Sequence, residues 1–286
     1  MDGNESRFVL SIGKEYNMII GNKEFDLEHH FYVMGILNVT PDSFSDGGNY
    51  NDMDKALFHA EQMIKDGAAI LDIGGESTRP GHIKISEEEE ISRVCPILET
   101  MKKNFDVPLS LDTYKSEVAK AGILAGADLI NDIWGLKWDG KMAEVVAKAK
   151  VPVCLMHNRE KENYNDFLMD VKKDLKESVS IAQAAGILDE NILLDPGIGF
   201  AKNYEQNLTL MNHLEELKEL GYPVLLGTSR KRMIGFALDL EVDEREEGTM
   251  ATTVMGLMKG ASIFRVHQVL GNYRAMKMTQ TILQAK

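Results

Sequence analysis

Eight short runs rich in β-branched and other apolar residues recur along this chain, at 32–39, 69–73, 108–111, 129–133, 151–156, 191–194, 223–226 and 262–266. Runs that are apolar throughout, rather than alternating, suit strands covered on both faces, as in a parallel sheet. Each is followed by helical spacing, in segments 53–66, 86–103, 114–125, 141–150, 167–185, 204–220, 246–259 and 271–284. In the first of these, Leu57, Ala60 and Ile64 share one stripe. Ser86 and Glu89 stand in capping-box spacing, so each side chain can take the other's free backbone N–H. Gly67, Gly126, Gly186, Gly221 and Gly260 stand just past five helices, where a left-handed residue is wanted. Eight βα units in about 250 residues imply a closed (βα)8 TIM barrel. An open doubly wound sheet is the alternative, but Gly197-Ile198-Gly199 lacks the third glycine of the dinucleotide fingerprint. The first 30 residues precede the first barrel strand and are expected to form a β-hairpin extension, turning at Gly13 or Gly21 and capping the barrel bottom. No low-complexity linker interrupts the chain, so 1–286 reads as one domain, with 1–30 as the extension and 31–286 as the barrel.

Charge excludes some functions. With 32 Lys+Arg against 45 Asp+Glu, the formal net charge is −13, which disfavours general nucleic-acid binding and a basic membrane-surface role. Two cysteines, Cys95 and Cys154, lie in apolar sequence and read as buried free thiols, not a disulfide or metal framework. No basic-then-apolar leader and no apolar run of membrane-spanning length is visible, so a soluble, cytoplasmic setting is expected. The excess acid falls largely on helical segments, as at 87–90 and 241–247.

Polar residues gather at the strand ends. The first run ends in Asn38 and Asp42, the second in Asp72 and the loop to Arg79, the third in Asp112 and the fourth in Asn131 and Asp132. The fifth ends in Met156, His157 and Asn158, the sixth in Asp195, the seventh in Thr228, Ser229, Arg230 and Lys231, and the eighth in Arg265 and His267. Helix capping explains an isolated Asp or Asn after a strand. It does not explain Arg265 and His267 within a strand-like run, and in a barrel all these positions converge on the C-terminal rim. Cations and glycine-rich loops there suit a phosphate or another anionic leaving group. Buried carboxylates suit a ligand with paired N–H donors, such as the amidine-like edge of a pterin or purine. Asn38 can offer Mg2+ an oxygen ligand, whereas nothing suggests zinc. Gly227-Thr228-Ser229 is not a hydrolase elbow, because Lys231 replaces the second glycine. Loops 40–50 and 74–82, rich in Gly, Pro and Asp, are expected to close over the rim.

Two stretches, Asn38-Val39-Thr40-Pro41-Asp42-Ser43-Phe44-Ser45-Asp46-Gly47-Gly48 and Asp72-Ile73-Gly74-Gly75-Glu76-Ser77-Thr78-Arg79-Pro80-Gly81, resemble the two signature segments of the dihydropteroate synthase family. The resemblance continues through Ser110 to Thr113, Asn131-Asp132, Leu155 to His157, Asp195 to Phe200, Gly227 to Lys231 and Arg265 to His267. It implies a folate-pathway transferase, in which p-aminobenzoate displaces diphosphate from 6-hydroxymethyl-7,8-dihydropterin diphosphate to give 7,8-dihydropteroate. It also implies a Mg2+-dependent homodimer and competition by sulfonamides, which mimic p-aminobenzoate.

Carried onto this chain, the resemblance assigns the pterin to Asp112, Asn131, Met156, Asp195, Phe200, Gly227, Lys231 and Arg265. It assigns the diphosphate to Asn38, Arg265 and His267, with Mg2+ on Asn38. It assigns p-aminobenzoate to Phe44, Thr78, Arg79, Pro80, Ser229 and Lys231. Catalysis would fall to Asp46, Arg79, Lys231, Arg265 and His267, through a dissociative substitution with Asp46 beside the cationic carbon. Gln268, where an acid is usual, and Trp134 depart from the pattern, and neither is expected to touch a site residue. Competing readings are a methyltetrahydrofolate:corrinoid methyltransferase-type barrel and a non-catalytic pterin-binding paralogue. The last two helices, with Met255, Met258, Met276 and Met278, are candidates for a dimer surface, although such stripes are commonly core.

Overall fold

The computed structural model describes residues 16–39, 49–77 and 84–285. A hairpin comes first, with strands β1 (Asn17–Ile20) and β2 (Lys23–Asp26) paired antiparallel around Gly21, whose φ is +63°. Of the two expected turn positions, Gly13 lies outside the described residues.

Eight parallel strands follow: β3 (Tyr32–Asn38), β4 (Ala68–Gly74), β5 (Leu109–Asp112), β6 (Leu129–Asp132), β7 (Val153–Met156), β8 (Ile192–Asp195), β9 (Leu225–Leu226) and β10 (Ile263–Val266). They pair in sequence order, β10 returns to β3, and a parallel bridge from Leu194 to Val224 joins β8 to β9. The sheet is thus a closed barrel, as the eight apolar runs predict. β9 is the shortest strand. Pro223 at its start has no N–H to donate, although its carbonyl still accepts from Leu194 N–H at 3.0 Å.

The helices are α1 (Asn49–Lys65), α2 (Glu87–Asn104), α3 (Ser116–Leu124), α4 (Met142–Ala149), α5 (Phe167–Ala184), α6 (Tyr204–Asn212), α7 (Arg232–Leu238), α8 (Glu246–Met258) and α9 (Val269–Leu283). All five anticipated stop glycines have positive φ, between +77° and +114°. The predicted helix at 204–220 is divided, with α6 giving way to a 3-10 stretch, Leu214–Leu220. α7 was not anticipated. It has seven residues with Gly235 in its middle, so neither length nor propensity announces it. A Cβ on Gly235 would lie 2.3 Å from the Arg245 guanidinium, so that glycine admits a close packing partner.

Ser86 caps α2 by accepting from Glu89 N–H at 3.1 Å. The return bond is not made, because the Glu89 carboxylate pairs with Arg93 one turn on. A complete box is at α6, where Asn203 and Gln206 exchange bonds of 2.9 Å. Glu90 is not solvated. It is 1% exposed and pairs with Lys115 at 2.7 Å. Cys154 is buried as expected, while Cys95 is only half-buried.

Two apolar layers divide the strand residues by phase. Outward residues such as Leu71, Leu111, Ile130, Leu155, Leu194 and Phe264 pack under the helices. Inward residues near the strand starts, Met34, Ile70, Leu129, Cys154, Leu193, Leu225 and Ile263, form a second cluster with Met18, Ile20, Phe25 and Leu27 of the hairpin segment. The hairpin therefore seals the bottom of the barrel. Among the described residues no helix is long and apolar enough to cross a membrane.

Phe25 is 2% exposed within this seal. Phe25→Ala is expected to cost about 3–5 kcal/mol of stability, measured as a lowered urea midpoint. A loss below about 1 kcal/mol would show that the hairpin is not part of the cooperative core.

Candidate active site

The strand pleat sends alternate residues inward. The positions two beyond the sealing layer are therefore also inside, one step nearer the C-terminal rim. From Ile70, Leu129, Cys154, Leu193 and Ile263 this step reaches Asp72, Asn131, Met156, Asp195 and Arg265. The change from apolar to polar along one inward face separates the core from the site.

Arg265 organises it. Its Nε donates to Asp72 Oδ2 at 2.5 Å, and one terminal nitrogen donates to Asp112 Oδ2 at 2.5 Å. Burial works against the guanidinium charge, but the two carboxylates outweigh it and hold its pKa above the usual arginine value. For Asp112 the balance is reversed. Burial pushes its pKa up to about 7, and Asp72 adds to the rise while Arg265 opposes it. One oxygen each of Asp72 and Asp112, and the Ser110 hydroxyl, are buried without a hydrogen-bond partner among the described residues. Unmatched acceptors of this kind are costly unless a ligand or water supplies donors.

Asp195 lies across the barrel mouth. Its Oδ1 accepts from Gly197 N–H at 2.7 Å. Burial raises its pKa to about 6, and the Gly197 bond and Lys231 limit the rise. Gly227 keeps open the space between Asp195 and Arg265: a Cβ there would stand 3.7 Å from Asp195 Oδ2 and 3.9 Å from Arg265 Cβ. Lys231 brings its ammonium to 4.2 Å from the centre of the Phe200 ring. Its stem crosses Gly199, where a Cβ would come within 3.1 Å of Lys231 Cδ. Asn131 pairs in register with Asp112, and Met156 with Asp195. Together these residues bound a slot with acceptors at one edge, a cation at another and apolar walls.

Asn38 ends β3 beside Gly74. A Cβ on Gly74 would lie 3.7 Å from Asn38 Oδ1 and 3.6 Å from Asp112 Cβ, so the glycine leaves room in front of the Asn38 oxygen. Ser229 and His267 form a pair. His267 N–H donates to Ser229 Oγ at 3.2 Å, and that hydroxyl lies 2.9 Å from His267 Nδ1. The Ser229 hydroxyl thus meets both the backbone and the ring of His267. Ser229 thus orients His267, in addition to the p-aminobenzoate role expected of it.

The structure brings together Asn38, Asp112, Asn131, Met156, Asp195, Phe200, Gly227, Ser229, Lys231, Arg265 and His267 at one end of the barrel. Phe44, Asp46, Thr78, Arg79 and Pro80, with most of both rim loops, lie outside the described residues. Asp132 faces away from the slot. Its carboxylate caps the following turn through the N–H groups of Trp134 at 2.8 Å and Leu136 at 2.7 Å. Trp134 is closer to the site than expected, since it and Phe200 pack against the cluster of Tyr114, Ile133 and Met156.

Some partners escaped the sequence reading. Asp72 was left out of the site set, although an acid two residues beyond buried Ile70 signals it. Glu76, Lys115 and Glu90 give no such signal. Lys115 donates to Glu76 at 2.6 Å, to Glu90 at 2.7 Å and to Ile85 O at 2.8 Å, which ties both stems of the second rim loop to α3.

Asp195 lends itself to a linkage test. Its folded pKa, about 6, lies above the unfolded value, so its contribution to stability is full below about pH 4 and is lost as pH rises through 6. Asp195→Asn is expected to match the parent near pH 4 and to exceed its stability at pH 8 by about 1–3 kcal/mol. Urea unfolding at the two pH values checks this, and equal stabilities at pH 8 would refute it.

Comparison with known proteins gives the same picture. The pterin binding enzyme family profile matches residues 34–267. A dihydropteroate synthase of Clostridium beijerinckii is 62% identical over 268 residues, 93% of this chain and 100% of the relative. The crystal structure of a dihydropteroate synthase from Clostridium difficile with pteroic acid is 48% identical, with a TM-score of 0.89, covering 91% of this chain and 100% of that one. That of the Xanthomonas albilineans dihydropteroate synthase with 4-aminobenzoic acid is 39% identical, with a TM-score of 0.91, covering 96% and 100%. With a profile match across the whole barrel and a relative of this identity and coverage, the chain belongs to the dihydropteroate synthase family of pterin-binding enzymes.

Proposed function

We propose that the protein condenses 6-hydroxymethyl-7,8-dihydropterin diphosphate with p-aminobenzoate, releasing diphosphate and 7,8-dihydropteroate. The observation that carries this reading is the slot held open by Gly227 between the Asp195 carboxylate and Arg265, next to an unmatched Asp112 oxygen. A pterin has the complementary outline, with an amino group and ring N–H to donate, a carbonyl to accept and a flat face.

Asp195 accepts from the amino group and ring N–H of the pterin, and Asn131 and Asp112 complete that edge. Lys231 donates to the carbonyl and ring nitrogen. The Arg265 plane, held by its two carboxylates, stacks on the ring face, worth about 1–2 kcal/mol when desolvated. Phe200 and Met156 exclude water from the remaining faces. His267 offers a ring N–H to the departing diphosphate, and Asn38 and Arg265 stand on the same side.

Mg2+ fits this arrangement. Asn38, whose side-chain oxygen lies 3.7 Å from where a Cβ on Gly74 would stand, would hold it. When bound, it would neutralise charge on the leaving diphosphate. The exocyclic carbon of the dihydropterin supports positive charge as diphosphate departs, so the substitution is dissociative and no covalent nucleophile is required. The protein's tasks are to hold the pterin, stabilise the leaving group and position the amine. The p-aminobenzoate role, with which sulfonamides would compete, is assigned to Phe44, Thr78, Arg79, Pro80, Ser229 and Lys231, and stabilisation of the cationic carbon to Asp46. A cytoplasmic homodimer completes the reading. Met258, Met278, Ile282 and Leu283 are exposed near the end of the chain, while Met276 belongs to the core.

The deciding assay is diphosphate release from purified protein with Mg2+, the pterin diphosphate and p-aminobenzoate. Absence of release from folded protein overturns the proposal. Asp195→Ala is expected to weaken pterin binding by on the order of 100-fold or more, because two donors lose a charged acceptor. Arg79→Ala is expected to raise the p-aminobenzoate KM and lower kcat while pterin affinity stays within about threefold, less than one hydrogen bond. Equal pterin losses in the two variants, read by titration calorimetry, would contradict this division of roles. Sedimentation is expected to give a dimer that Met278→Glu shifts toward monomer.

A further inference from the structure

Behind the 195–200 turn lies a buried cation that the proposed reaction does not use. Lys202 is 6% exposed. Its ammonium lies 2.9 Å from Gly197 O, 2.9 Å from Phe200 O and 2.8 Å from His157 Nδ1, which occupies all three of its donors. All three acceptors are neutral. Burial pushes the Lys202 pKa down to about 7, and Asp195 is the foremost charge opposing that fall.

His157 is fixed from its other side. With Nδ1 accepting from Lys202, the ring proton is on Nε2, 3.1 Å from Asp174 Oδ2, which also accepts from Arg159 Nε at 2.5 Å. The ring is therefore neutral, and burial holds its pKa down at about 4. The backbone interlocks at the same place. His157 N–H donates to Asp195 O at 2.9 Å, and a Cβ on Gly197 would lie only 2.0 Å from His157 O. The carbonyls gripped by Lys202 belong to the turn whose Gly197 N–H holds the Asp195 carboxylate and which carries the Phe200 ring. No barrel-ladder bond depends on Lys202.

We propose that Lys202, aligned by the neutral His157 ring, is a positioning residue for pterin recognition: it sets the shape of the 195–200 turn and so aims Asp195 and Phe200 at the ligand. The sequence does not announce this, because Lys202 follows the recognisable Asp195-to-Phe200 stretch and His157 lies just past the end of another strand. The inference rests on the synthase reading, and its test distinguishes the two.

Full-length Lys202→Met, His157→Asn and His157→Gln are compared with the parent for pterin diphosphate affinity by calorimetry with Mg2+, for p-aminobenzoate KM at saturating pterin, and for thermal unfolding. Lys202→Met is expected to weaken pterin binding about tenfold or more, the scale of a lost charged hydrogen bond. Its p-aminobenzoate KM is expected to stay within about twofold, below the effect of one such bond. His157→Asn keeps an acceptor at the Nδ1 position and is expected to retain most pterin affinity. His157→Gln reaches only the Nε2 position and is expected to resemble Lys202→Met. Should Lys202→Met fail to fold, the two His157 variants decide. Parental pterin affinity in folded Lys202→Met, or equal losses in the two His157 variants, overturns the proposal, as does a lowered melting temperature without the split between pterin affinity and p-aminobenzoate KM. Failure of the parent protein to release diphosphate instead overturns the synthase reading.

Discussion

Because a strand pleat has a period of two, the residue that seals the barrel bottom and the polar residue at the barrel mouth lie two apart on the same strand. Ile70 and Asp72, Leu193 and Asp195, and Ile263 and Arg265 all follow this rule. A register shift of one residue would turn each charged residue outward into the helix layer and bring its apolar neighbour inward. The outer layer, with Leu71, Leu194 and Phe264 all fully buried, makes such a shift prohibitively costly. Apolar packing on the outside of the barrel therefore fixes charge on its inside.

Fixing that charge has a cost. Asp112 and Asp195 are held where burial raises their pKa, and buried oxygens of Asp72 and Asp112 have no hydrogen-bond partner among the described residues. Arg265 offsets part of this by pairing with two carboxylates at once. The remainder stays as unmatched acceptors in a pre-shaped slot, the electrostatic condition for strong binding of a donor-rich ligand. The hairpin seal and the helix layer supply the stability that allows a strained polar centre to persist.

Much of the site was legible because its signals are local. An acid or a cation at the end of an apolar run is conspicuous, and eight such ends point to one rim. Where local signals mislead, the cause is specific. Asp132 follows Asn131 directly and so falls on the opposite face, where it caps a turn. Glu90 lies in a run of four glutamates that resembles a solvated face, yet it turns inward to Lys115 from a different helix. Trp134 follows the recognisable Asn131-Asp132 pair and departs from the family pattern, but the barrel folds it toward Met156 and Phe200.

The sequence by itself determined the eight-unit barrel, the hairpin beneath it and most of the described rim residues proposed to meet the ligand, since these follow from periodicity, glycine placement and motif. Tertiary structure decided the partners: Asp72 with Arg265, Ser229 with His267, Lys115 with the loop stems, and Lys202 with His157. Each of these joins residues at least 30 positions apart in the chain. A hydrogen bond is specified by distance and direction in space, and neither quantity exists until the sheet has closed.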